Sequence, residues 1–256
     1  MARKILIRTL LALLLVSTFS SAQEITVAAA ADLQFVFQDV ASSFQKDTGH
    51  NVKMIFGSSG NFFAQIQNGA PFDIFFSADV GYPQKLEAAG LVEPGTMYEY
   101  ATGKIVLLVP MGSRLDLKRG LSVLLDPQIK KIAIANPEHA PYGRAAVAAL
   151  QHEKLYDQVS SKFVLGENIS QTASFVVSGA ADVGIVALSL ALAPATQEKA
   201  SYAPIPDDEY PPIRQGAAIL KSSQQKELAR QFMAYLKKPE IVSLLEKYGF
   251  AVPKTQ

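Results

Sequence analysis

Apolar and polar positions follow two rhythms along this chain. EITVAAAA (24–31), NVKMIF (51–56) and DIFFS (73–77) are apolar runs of strand length, whereas Leu33, Val36, Phe37, Val40 and Phe44 recur at helical spacing. The rhythms take turns, which predicts a mostly parallel sheet flanked by helices. Further helices are expected over about 60–68 and 82–89, stopped by Gly69 and Gly90. GKIVLLVP (103–110) reads as one strand carrying the chain into a second lobe. There KIAIAN (131–136), a helix from about 143, KFVLG (162–166), a helix from about 171 and ADVGIVAL (181–188) repeat the theme of the first half. APIPDDEYPPI (203–213) is too rich in Pro and acid for regular structure and suits a return crossing. QGAAIL is then a strand, and SQQKELARQFMAYLKK and PEIVSLLEKYG are two closing helices that rejoin the first lobe, the second begun by Pro239 and ended by Gly249. The expected organisation is a leader at 1–22, a first lobe at 23–104 and 214–256, and a second lobe at 105–213.

The leader departs from that pattern. MARKILIR is basic, TLLALLLVSTF is apolar and SSA supplies small residues, the order of an export signal. Its apolar run is short of the roughly 20 residues of a spanning helix. With no Cys in the chain there is nothing at the junction to lipidate, and no disulfide or thiolate metal site can form. A soluble periplasmic protein beginning near Gln23 is expected. Loss of Arg3, Lys4 and Arg8 with the leader leaves 21 basic against 23 acidic residues, a balance that gives no reason to expect nucleic acid as a partner.

Candidate chemistry concentrates at four strand-to-helix junctions: AAAAD (28–32), GSSG (57–60), NPEHAPYG (136–143) and GENISQ (166–171). In an α/β sheet such junctions lie at the carboxyl edge, where ligands bind. Helix N-termini there carry unpaired N–H donors and partial positive charge, so an anion is the expected guest. Taken singly, Asp32, Ser59 and Ser170 are also ordinary N-cap types, and capping alone would explain them. His50, His139 and His152 are scattered without metal-ligand spacing, although His139 lies in a junction loop and can shape it. Ser58 and Ser59 lack a GxSxG elbow, so hydrolase chemistry is poorly supported. Phe62, Phe63, Phe75 and Phe76 fit a core better than a site.

EITVAAAADL, FGSSGNFFAQIQNGAPFDIFFSAD, ATGKIVLLVP, IAIANPEHAPYG, SGAADVGIVAL and YLKKPEIVSLLEKYGFAVP together resemble the bacterial periplasmic molybdate-binding proteins of ABC transporters, over essentially the whole chain after the leader. The resemblance implies an α/β two-lobed periplasmic binding protein of type II, with two hinge crossings, closing on molybdate or tungstate held by neutral donors. It implies oxyanion-binding roles for Ser59 through its hydroxyl and N–H, for the N–H groups of Tyr142 and Ile169, and for Ala31 and Asp32 at the first junction. No cofactor is implied beyond the molybdate or tungstate ligand, and the partner would be an inner-membrane permease, with the carrier itself a monomer. Phosphate or sulfate is the alternative ligand, and no enzyme activity is expected.

Two positions depart from the family pattern. Ala187 stands where one branch has a hydroxyl-bearing Tyr, and Ala31-Asp32 stands where Ser or Thr-Asn is usual. A carboxylate about 4 Å from a dianion would be repelled by roughly 8 kcal/mol at an effective dielectric of 20. Asp32 is therefore expected to turn away and cap the helix beginning at Leu33; otherwise it is protonated, or it accepts a hydrogen bond from a protonated ligand such as hydrogen phosphate.

Overall fold

The computed structural model describes residues 23–253, so the expected leader lies outside the described residues. Ten strands form two five-stranded sheets. They are β1 (Glu24–Ala30), β2 (Asn51–Gly57), β3 (Ile74–Ser77), β4 (Tyr98–Gly103), β5 (Ile105–Pro110), β6 (Ile132–Ala135), β7 (Phe163–Gly166), β8 (Val183–Ala187), β9 (Ala200–Pro204) and β10 (Ile213–Ile219). The helices are α1 (Gln34–Thr48), α2 (Ser59–Gln67), α3 (Gly81–Ala88), α4 (Pro141–His152), α5 (Tyr156–Val159), α6 (Ile169–Val177), α7 (Leu188–Ala191), α8 (Pro194–Gln197), α9 (Lys226–Tyr235) and α10 (Pro239–Lys247).

The first sheet runs β2-β1-β3-β10-β4 and the second β7-β6-β8-β5-β9. In each, one strand opposes the direction of the other four: β10 in the first sheet and β5 in the second. These are the strands that enter each sheet from a crossing, so both lobes are mostly parallel. Burial on two faces explains the unbroken apolar runs. Val27 and Ala29 of β1 pair with Ile74 and Phe76 of β3 and pack on one side with Phe37 and Phe232. Ala28 and its partner Phe75 face the other side, against Phe62 and Leu86. Leu33, Val36, Phe37, Val40 and Phe44 are all fully buried, as their spacing predicts. The last two helices pack on the first sheet, with the Phe44 and Phe232 rings edge to face at 5.2 Å.

Three expectations about the elements need correction. GKIVLLVP is not one strand: Lys104 separates β4 of the first sheet from β5 of the second, so the crossing lies between them. β4 and β9 were not expected at all. Each lies at the edge of its sheet with several residues partly or fully exposed, so neither carries an unbroken apolar run. Helices α4 and α6 begin two residues earlier than expected, at Pro141 and Ile169. Pro141 occupies a first-turn position, where its missing N–H costs nothing.

Candidate functional site

The carboxyl ends of β1, β2, β6 and β7 each release the chain into one of the four junctions. All four junctions meet at a single pocket, lined by Ala30 to Asp32, Gly57 to Ser59, Ala140 to Tyr142, and Asn168 with Ile169, together with Ala78 beyond β3. Its empty space is about 190 Å³ counted with the solvent at its mouth, and only about 10 Å³ of it can hold the centre of a water-sized sphere, so the pocket is small and nearly shut. No Lys or Arg lines it. Ala31, Asp32, Ser59, Tyr142 and Ile169, singled out from the sequence, all stand on this lining and all are buried. Ser58, in the same GSSG turn as Ser59, joins them.

Each junction presents donors for a local reason. Ser59, Tyr142 and Ile169 sit in the first turns of α2, α4 and α6, where N–H groups have no intrahelical acceptor. None of the three finds another acceptor among the described residues. The Ser59 Oγ accepts from the Ala78 N–H at 2.9 Å, which leaves its own proton to donate elsewhere. Asn168 caps α6, its side chain accepting from the Gln171 N–H at 3.0 Å. GSSG also serves closure. The Gly60 N–H donates to the His139 carbonyl at 2.9 Å, and a Cβ on Gly60 would lie 2.6 Å from that oxygen. Ser58 Oγ donates to the same carbonyl at 2.5 Å and lies 3.0 Å from the His139 ring. Asn61 reaches Glu167 at 2.6 Å, and Arg144 pairs with Asp79 at 2.6 Å. Ser170 donates to Gln34. The two lobes are thus drawn together around the pocket.

The capping reading of the three polar residues does not hold. Asp32, Ser59 and Ser170 cap nothing, because each side chain is engaged over a long sequence distance. Asp32 is 1 % exposed, and its Oδ2 accepts from the Tyr142 hydroxyl at 2.9 Å and from Gln215 Nε2 at 2.7 Å. Gln215 also lies 3.0 Å from the Tyr142 hydroxyl, and Tyr100 donates to Gln215 Oε1 at 2.7 Å. Ser189 Oγ donates to the Asp32 carbonyl at 2.7 Å. Asp32 Oδ1 has no hydrogen-bond partner among the described residues. Burial pushes this carboxyl up to about 6, against the opposing pull of the Gln215 and Tyr142 hydrogen bonds. Burial likewise raises Tyr142 and Tyr100 above the ordinary phenol range, with the Asp32 charge adding to it. Gly103 makes room for the Tyr142 hydroxyl, which would lie 2.0 Å from a Cβ there. Gln215 and Tyr100 were missed in the sequence, since β10 and β4 are far from the junctions along the chain. Ala187 is fully buried and lies off the pocket lining.

Two α/β lobes closed over a small pocket of neutral donors define a carrier that holds a solute between its halves. The profile of bacterial extracellular solute-binding proteins matches residues 25–251. The chain is 40% identical over 238 residues to the molybdate-binding protein ModA of Azotobacter vinelandii, covering 93% of this chain and 94% of that protein. It is 37% identical to ModA of Rhodobacter capsulatus, covering 90% and 89%. The solved structure of the Azotobacter vinelandii periplasmic molybdate-binding protein superposes with a TM-score of 0.84 at 38% identity, over 90% of this chain and all of that one. The chain belongs to the ModA family of bacterial extracellular solute-binding proteins.

Proposed function

We propose that this protein captures molybdate or tungstate in the pocket between its lobes and delivers it to the permease of an ABC importer on the outer face of the inner membrane, having been exported by its leader. The observation that carries this reading is the meeting of four strand-to-helix junctions, two from each sheet, at a pocket lined without a basic side chain. Three first-turn N–H groups and the Ser59 hydroxyl supply a donor set suited to the oxygens of a tetrahedral anion. Because each lobe holds part of that set, the anion binds the closed arrangement more strongly than an open one, and the difference in affinity drives closure. Nothing in the donor set calls for bond making or breaking, so the protein acts as a carrier. The name shared by its close relatives supports molybdate as the cargo.

Thermal unfolding in the presence of molybdate, tungstate, sulfate and phosphate tests the proposal. Molybdate and tungstate at about 100 times their dissociation constants are expected to stabilise the protein by about 2.7 kcal/mol. A melting temperature that responds to sulfate or phosphate but to neither of the larger anions sinks the assignment. Ser59→Ala removes one hydroxyl donor and the Ala78 N–H contact together. It is expected to weaken molybdate binding by about 1–3 kcal/mol in titration calorimetry; unchanged affinity removes Ser59 from the site.

A further inference from the structure

Asp32 is poorly suited to an anion pocket while it is charged, and its surroundings show how it can serve there. Both donors that reach its side chain, Tyr142 from α4 and Gln215 from β10, converge on Oδ2. Oδ1 is buried without a partner on a residue that lines the pocket. The titratable groups packed around it are the phenols of Tyr142 and, through Gln215, of Tyr100 on β4; α7 offers only Ser189, to the backbone. No basic side chain forms an ion pair with Asp32 among the described residues, so nothing nearby holds its negative charge when a second anion arrives. An acceptor edge facing two fixed donors, with the other oxygen free, is the arrangement that suits a carboxylic acid protonated on Oδ1.

We propose that the oxyanion is bound together with one proton, held between Asp32 Oδ1 and an anion oxygen, so that the Asp32 side chain acts as a neutral hydrogen-bond donor that sets the affinity and its pH dependence. This rests on the oxyanion reading above. The proton comes from solvent; no covalent bond to the anion forms or breaks. The shared proton replaces repulsion between a carboxylate and a dianion with a charge-assisted hydrogen bond. Asn at this position would keep its oxygen toward Tyr142 and Gln215 and present an N–H in place of the acid proton, so it fixes the donor permanently.

Titration calorimetry with molybdate at several pH values between 7 and 8.5, in two buffers of different ionisation enthalpy, tests the idea on the unmodified protein. Uptake close to one proton per anion is expected, with affinity falling about tenfold per pH unit. Asp32→Asn is expected to take up no proton and to bind with an affinity that does not change over this range. Binding by the unmodified protein with no proton uptake and a flat pH profile overturns the proposal while leaving the carrier reading in place. Failure of both proteins to bind molybdate or tungstate even at pH 6 overturns the carrier reading, and this inference with it. The proton count needs no variant, so it stands even if Asp32→Asn folds poorly.

Discussion

Gly143→Ala is expected to lower the unfolding free energy by about 3 kcal/mol or more and to weaken oxyanion binding with it. Gly143 lies in the first turn of α4, where the helix meets the end of β6. A Cβ at this position would lie 2.0 Å from the Ala135 carbonyl oxygen and 2.8 Å from its carbon. Both are backbone atoms of a central strand, so they cannot swing aside as a side-chain tip would, and the start of α4 must lift from the sheet. Tyr142 is the preceding residue. Its N–H would leave the pocket and its hydroxyl would leave Asp32, so a donor to the anion and a link between the lobes weaken at once. Gly69→Ala provides a comparison: its φ of 83° disfavours a side chain, but nothing lies within 4 Å of the added carbon. A loss of only about 1–2 kcal/mol is expected there, from backbone conformation alone. Urea unfolding of the two variants checks the difference. A smaller loss for Gly143→Ala than for Gly69→Ala would show that α4 is not pressed against β6 in this way.

Asp32→Asn is expected to stabilise the ligand-free protein in alkaline solution and to lose that advantage in acid. In the folded chain the carboxyl titrates near 6, against an ordinary value of 3.8. Between those values the folded state keeps a proton that the unfolded state has released, so stability falls as pH rises through this window. Above about 6 the full cost of the buried charge is present, on the order of 3 kcal/mol. Asn carries no such cost. The gap between the variant and the unmodified protein should therefore grow by that amount from pH 3.5 to pH 8, with most of the change between 4 and 6. Taking the gap cancels the titration of every other carboxylate, and any fixed effect of the amide is set by the value at pH 3.5. Denaturant unfolding at five or six pH values provides the curve. A gap independent of pH would mean that Asp32 is solvated or stabilised by charge in the folded protein.

Much of the fold was legible because its cause is local. Alternating strand and helix rhythms, Gly69, Gly90 and Gly249 in the left-handed conformation after helices, and Pro239 at a helix start depend on residues within a few positions of one another. The outer strands β4 and β9 were illegible for the converse reason. YEYATG and ASYAP are partly or fully exposed at several positions and so need not be uniformly apolar, and it is pairing with β10 and β5 that makes them strands. The same division applies to the site. The residue types at the four junctions marked them as donor-rich ends of strands, and Ala31, Asp32, Ser59, Tyr142 and Ile169 could be named from motif and resemblance.

By itself, then, the sequence determined two runs of β-loop-α units and four turns suited to a negative guest, since helix ends and turn chemistry are written in neighbouring residues. The tertiary structure decided that those turns meet in one pocket, and that Asp32 reaches Tyr142 and Gln215, 110 and 183 residues away, in preference to capping its own helix. A cap would satisfy Asp32 locally, but the carboxyl is buried where two fixed donors from other elements converge on one oxygen. The folding of β10 into the first sheet brings Gln215 within reach, and the packing of the second lobe against the first brings Tyr142.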